Sequence, residues 1–284
     1  MTQPSTVRLD AALVARGLAR SRGHARDLIG QGAVRVDGAV ALKASRAVGP
    51  GDDLAVADSA GTLGPQWVSR AAGKLLGAFA DLPHGGPRVA GVRAADVGAC
   101  TGGFTQVLLH RGAHEVLAID VGHDQLAPTV REDPRVVNLP GRNIRDLGPA
   151  DVGGEVDLLV CDLSFISLTL VLPVLASLVR PDGDLLLLVK PQFEVGREGL
   201  DGRGVVRPGP WRRDAILRVL ARAVEAGLSV RGVVASRTRG QEGNLELVAW
   251  LHRPAGAPIG LAWQAVCETV DDIVSTETPG GHRT

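Results

Sequence analysis

The stretch from Val89 to Asp120 constrains the fold of this chain more than any other. Val89, Val92, Ala94 and Ala95 are apolar and lead into Asp96. The loop Asp96-Val97-Gly98-Ala99-Cys100-Thr101-Gly102-Gly103-Phe104 follows, and Phe104, Val107, Leu108 and Arg111 then recur at helical spacing. Glu115 to Ile119 is a second apolar run, closed by Asp120. Strand, glycine turn, helix, strand and terminal acid, in that order, form the repeating unit of a parallel sheet that binds its ligand at the carboxyl ends of its strands.

Later segments repeat the unit. Asp157 to Cys161 is apolar and ends at Asp162, and Asp184 to Val189 ends at Lys190-Pro191. Leu168 to Val179 reads as a helix interrupted early by Pro173, and Trp211 to Ala226 as a long helix. Leu228 to Val234 and Leu245 to Leu251 supply closing strands. The expected fold is α/β, with a Rossmann-like, mostly parallel, seven-stranded sheet. Asp96, Asp120, Asp162 and Lys190 would then share one edge of that sheet, where ligands sit. The loop spacing is neither G-x-G-x-x-G nor that of a P-loop, and it has no Walker lysine, so a phosphate cradle is not the first expectation. Asp96 could face a cationic group, and Asp120 stands near the offset of a ribose-binding acid. A ligand with an amino-acid tail and an adenosine but no phosphate, S-adenosylmethionine, suits those residues.

Composition sharpens the reading. Of 31 basic residues, only Lys43, Lys74 and Lys190 are lysines. Arginine stays protonated near neutral pH, whereas lysine can be tuned to lose its proton, so the lysines are the first places to look for chemistry. The formal net charge is zero, which excludes a uniformly basic sleeve for nucleic acid. The charge is uneven, however. Arg8, Arg16, Arg20, Arg22, Arg26, Arg35, Lys43 and Arg46 face only Asp10, Asp27 and Asp37 across residues 8–46. The rest of the chain is nearly neutral, and a basic head on a neutral body is the pattern of a nucleic-acid-binding appendage. In that head, Leu9, Leu13 and Val14 have helical spacing and Gly17 closes the helix. Ser21 can cap a second helix through Arg22, Ala25, Leu28 and Ile29, and Val34 to Val36 runs into the Asp37-Gly38 turn.

Other classes fall away. Residues 1–10 contain no apolar core of a signal peptide. The longest uncharged run, residues 163–179, is short for a membrane span and includes Pro173. Cys100, Cys161 and Cys267 show neither metal-ligand nor disulfide spacing, as expected of a cytoplasmic chain without a metal. The expected organisation is a basic head domain at 1–58, for which the resemblance below implies RNA binding, a linker at 59–66, a body at 67–274 and a frayed tail at 275–284.

The head motifs Arg8-Leu9-Asp10, Gly17-Leu18-Ala19-Arg20-Ser21-Arg22, Leu28-Ile29, Gly32 to Gly38 and Gly51-Asp52 resemble the RNA-binding domain named after the fourth small-subunit ribosomal protein. That resemblance implies RNA contacts by Arg8, Arg20, Arg22, Arg26, Arg35 and Lys43. In the body, Ser69-Arg70 to Lys74-Leu75, the Asp96 to Phe104 loop, Asp120-Val121-Gly122, Asp162 to Leu168, Lys190 to Glu194 and Gly243 to Glu246 resemble FtsJ-type RNA ribose 2′-O-methyltransferases. Head and body together are similar to the TlyA, or haemolysin A, branch. The resemblance implies methylation of cytidine 2′-hydroxyls in 16S or 23S ribosomal RNA. It implies a catalytic tetrad of Lys74, Asp162, Lys190 and Glu246. It also implies cofactor contacts at Asp96, Gly98, Cys100, Thr101, Gly102, Gly103, Phe104, Asp120, Val121 and Asp162. Asn143 reads equally as an adenine contact or a loop cap. Cys100 stands where the family pattern has serine, and His123 where an aromatic is common. Pro65-Gln66 precede Trp67-Val68 where the family often has an arginine two places before the tryptophan.

A ribose hydroxyl is a poor nucleophile and needs a base, for which Lys190 is the candidate; Lys74 nearby would disfavour its charged form. Aromatic residues are only 3% of the chain, so RNA should be held by charge and shape. Trp67 and Phe165 are candidate contacts, with core packing the expected role of Phe165. The expected partners are ribosomal RNA and ribosomal subunits, without membrane, for a monomer or weak dimer. Three readings compete with methyl transfer. A non-catalytic ribosome-assembly factor would transfer no methyl group. A haemolysin would need a long apolar segment, and a pseudouridine synthase a different fold.

Overall fold

The computed structural model describes residues 6–19, 22–30, 32–56, 67–207, 209–240 and 242–276, apart from the side chains at 24 and 27. The chain divides into two compact units, one ending at Gln66 and one starting at Trp67. Arg20, Ser21, the expected linker at 59–66 and the tail beyond 276 lie outside the described residues.

The first unit begins with β1 (Val7–Arg8), α1 (Leu9–Ala15) and α2 (Arg22–Gly30). Four short strands follow: β2 (Val34–Val36), β3 (Ala39–Val40), β4 (Ala47–Val48) and β5 (Leu54–Val56). β2 lies between β3 and β5, all antiparallel, and β1 pairs with β4. The period-two pattern of Val34-Arg35-Val36 buries both valines and turns the arginine out. Asp37 (φ 53°) and Gly38 (φ 78°) both take positive φ, as a two-residue hairpin with right-twisted strands requires. Leu9, Leu13, Ala25, Ile29, Val34 and Val36 form the core.

The second unit contains seven strands: β6 (Arg93–Val97), β7 (Glu115–Ile119), β8 (Val136–Leu139), β9 (Val156–Cys161), β10 (Val179–Val189), β11 (Ser229–Ala235) and β12 (Leu247–Arg253). Their order is β11-β12-β10-β9-β6-β7-β8. The five strands from β10 to β8 run parallel, and β12 is antiparallel to both neighbours. Adjacent residues of β9 point to opposite faces: Leu159 joins an apolar cluster with Leu172 and Ile216, and Leu158 joins another with Leu75, Phe79 and Leu108. The helices are α3 (Ala71–Asp81), α4 (Gly103–His110), α5 (Pro128–Arg131), α6 (Leu168–Leu178), α7 (Trp211–Glu225) and α8 (Trp263–Ser275). The α/β class and the mostly parallel seven-stranded sheet therefore stand.

Two element readings need correction. The segment expected to break at Pro173 is one helix, α6, with the proline inside it. Losing one backbone bond there costs about 3 kcal/mol. Burial of Leu168, Val171, Leu172, Leu175 and Leu178, at roughly 1.5–3 kcal/mol each, outweighs that cost. The strand expected from Asp184 begins at Val179, with a register shift between Val179 and Asp184.

Candidate active site

The sheet builds the site from segments far apart in sequence. Asp162 follows β9 and Lys190 follows β10, so both emerge at the same carboxyl edge. β12 runs the other way, and its pairing of Leu247 with Val189 brings Glu246 to that edge beside Lys190. Lys74 reaches it from α3 and is buried.

Each lysine has its own carboxylate. Lys74 Nζ donates to Glu246 Oε2 at 2.6 Å, and Gln192 donates to the other oxygen of Glu246 at 3.4 Å. Lys190 Nζ lies 2.5 Å from Asp162 Oδ1 as an ion-pair contact, while its aligned hydrogen bond goes to Ser164 Oγ at 2.8 Å. A carboxylate thus stands against each amine, Glu246 against Lys74 and Asp162 against Lys190.

Lys74, Asp162, Ser164 and Lys190 line a cavity of about 250 Å³ with Ser69, Arg70, Gly98, Ala99, Cys100, Thr101 and Phe104. A smaller pocket shares Ala99 and Cys100 and continues along Asp120, Gly122, Asp124, Gln125, Leu126, Asn138 and Pro140. The loop after β6 forms the wall between them. Gly98 has φ 84°, and a Cβ there would stand 2.6 Å from the Asp162 carbonyl oxygen, so only glycine lets the loop lie against the strand end that carries Asp162. Asp120 fastens the loop from the next strand, accepting from Cys100 N (2.9 Å) and Gly122 N (2.8 Å).

Several sequence candidates sit off these walls. Asp96 is fully buried and accepts at one oxygen from Thr105 N (2.7 Å) and Oγ1 (2.6 Å), while Oδ1 has no hydrogen-bond partner. It faces inward where the sequence reading turned it toward a ligand. Burial pushes its carboxyl up to about 7, against the two Thr105 bonds and with help from the charges of Asp162 and Asp120. Gly102 (φ 91°) caps α4, and Gly103 packs against the start of α3. Val121 is exposed and lines neither pocket. Asn143 accepts from Arg145 N at 3.1 Å, which makes it a loop cap. Trp67 packs edge-on against His110.

Phe165 is the clearest departure. Expected in the core, it is 92% exposed at a φ of 65°, with its ring 5.3 Å from that of Phe193. The turn between Asp162 and α6 presents it outward, next to Ser164 on the cavity wall. Ser164, Ser69, Arg70 and Gln192 were missed as site residues. Ser164 and Gln192 lie two residues from Asp162 and Lys190, the one signal that could have marked them. In the first unit, Arg8, Arg22, Arg26, Arg35 and Lys43 are all exposed.

The FtsJ-like methyltransferase family model matches residues 67–253, and the S4 domain model residues 7–54. A 16S/23S rRNA (cytidine-2′-O)-methyltransferase TlyA of Mycobacterium tuberculosis is 50% identical over 86% of this chain and 89% of its own length. Hemolysin A of Brachyspira hyodysenteriae is 32% identical over 86% of this chain and 98% of its own. A solved Streptococcus thermophilus structure with a hemolysin designation is 33% identical. It superposes with a TM-score of 0.72, covering 96% of this chain and 97% of that one.

Proposed function

The chain belongs to the FtsJ-like methyltransferases of the TlyA type, and from that premise we propose that it methylates the ribose 2′-hydroxyl of cytidine in ribosomal RNA, with S-adenosylmethionine as donor and Lys190 as base. The observation that carries this reading is the assembly of Lys74, Asp162 and Lys190 on one cavity that the glycine loop also lines.

When bound, S-adenosylmethionine supplies an electrophilic methyl group on a sulfonium. The residues on either side of the glycine loop suit it: Asp120, with a second lone pair free on each oxygen, fits a ribose diol, and the Gly98 to Thr101 backbone lies open to close approach. The ribose hydroxyl of the RNA would enter beside Lys190. Lys190 Nζ, once it has released to solvent the ammonium proton that Asp162 favours, takes the hydroxyl proton, and Asp162 balances the ammonium formed again. Ser164, accepting from the same nitrogen, fixes where its lone pair points. Lys74, its charge met by Glu246, donates to the oxygen that becomes negative. Phe165 offers an exposed ring on which the target base can stack, worth about 1–3 kcal/mol. The exposed cations of the first unit hold folded RNA by its phosphates.

The test pairs wild type and Lys190→Ala with labelled cofactor and ribosomal subunits. Wild type should place label on cytidine 2′-oxygens, and the variant should be slower by about 10²–10⁴-fold with cofactor binding retained. Equal transfer by both removes Lys190 as base. No transfer by wild type to any ribosomal RNA favours the assembly-factor reading.

A further inference from the structure

Among the described residues of the first unit, Asp10 is the one carboxylate with no exposed surface, and three arginines converge on it. Arg8 donates through Nε (3.1 Å) and Nη2 (3.3 Å), Arg22 through Nη2 (3.1 Å) and Arg26 through Nε (3.4 Å). They come from β1 and from two successive turns of α2. Each remains about half exposed. The guanidiniums themselves cover the carboxylate, and their hydrogen bonds, Arg8 first, hold its carboxyl well below the usual range.

A guanidinium carries five N–H donors, and one carboxylate engages only a few of the fifteen. The three half-exposed guanidiniums form a cluster with two positive charges in excess. We propose that Asp10 is a positioning residue for RNA: it gathers Arg8, Arg22 and Arg26 into one preorganised array that takes adjacent phosphates of folded ribosomal RNA. This rests on the ribosomal-RNA-binding half of the reading above, not on methyl transfer. Gathering three flexible side chains in advance spares the ordering cost on binding, and it lets like charges stand close without RNA present.

The proposal makes a prediction of opposite sign to simple electrostatics. Removing a carboxylate raises the local charge and should tighten RNA binding if the arginines act independently. If Asp10 positions them, binding should weaken. Asp10→Asn in the full chain is measured for binding to purified 16S and 23S ribosomal RNA across a salt series, with amide exchange reporting whether the first unit stays folded. The expected result is roughly three- to tenfold weaker binding and a log–log salt slope reduced by about one. In methyl transfer, KM for RNA rises while kcat at saturating RNA holds. In the Arg22→Ala/Arg26→Ala background, Asp10→Asn should add little. Unchanged or tighter binding overturns the proposal, as does full additivity with the arginine variants. Should Asp10→Asn melt the first unit, Asp10→Glu is read instead: retained binding supports positioning by a carboxylate, and tighter binding overturns it. A wild type that binds ribosomal RNA but transfers no methyl sinks the enzymatic reading and leaves this one standing.

Discussion

Lys190 and Asp96 show how far one ionisable group can be interpreted from its neighbours. Arginine at 190 would keep the positive charge beside Asp162 but could not give up a proton near neutral pH. Lys190→Arg should therefore retain cofactor affinity and lose methyl transfer about as completely as alanine does. Transfer within tenfold of wild type would mean that charge, not basicity, is what position 190 supplies. Asp96 makes a second prediction through linkage. Its carboxyl is at about 7 when folded, against 3.8 for the ordinary side chain, so between those values the folded chain holds a proton that the unfolded chain has lost. The contribution of this group to stability is thus full below about pH 4, drains as pH rises towards 7 and stays lost above that. Asp96→Asn keeps an oxygen for the two Thr105 bonds and has no proton to lose. The unfolding free energy of the variant relative to wild type, from denaturant titrations at each pH, should rise between pH 4 and 7 by an amount on the order of a few kcal/mol and then level off. A difference that is flat with pH would show that the buried carboxyl titrates normally.

Elements hold these groups in place, and Glu194 is the clearest joint between two of them. It follows the Lys190 turn and is buried. One oxygen takes the Ser167 hydroxyl (2.5 Å) and the other Leu168 N (2.8 Å), at the first turn of α6. Burial raises its carboxyl, and those two bonds oppose the rise. The turn carrying Ser164 and Phe165 is therefore pinned at its far end to the segment carrying Lys190. Glu194→Ala should cost about 1–3 kcal/mol for the unpartnered donors and raise KM for RNA severalfold, with cofactor affinity unchanged. A lower Tm with unaltered KM would reduce Glu194 to a structural clamp. Much of this level is legible in sequence. Apolar runs ending in acids mark β6, β7 and β9, and the glycines mark the loop, because each is a local pattern. α8 was passed over although Val266 and Val270 are spaced four apart and both are buried. The pairing of Glu246 with Lys74 is not a local pattern. It depends on β12 running antiparallel to β10, which the long path between them decides. Phe165 misled for a related reason: hydrophobicity argues for burial, and only the backbone of that turn sends it outward.

At the scale of the whole molecule, charge separates the two units. The chain is neutral overall, yet the arginines around Asp10 belong wholly to the first unit, and the methyltransferase cavity wholly to the second. Each unit has apolar clusters of its own, so the second has the core of an independently folding domain. A chain of residues 67–284 should thus fold and bind cofactor as the full chain does. What it should lose is the part of RNA affinity that depends on released counterions. Three phosphate contacts at about 0.7–0.9 in slope each amount to roughly two to three in the salt dependence of binding. At about 0.1 M salt the truncated chain should bind ribosomal RNA at least tenfold more weakly, and the deficit should shrink as salt rises, because the full chain loses its advantage first. Methyl transfer by the truncated chain should recover at high RNA concentration, since the residues around Lys190 are intact. A truncated chain with the full salt slope would place the phosphate contacts in the second unit. The basic face of the first would then be ordinary solvated surface.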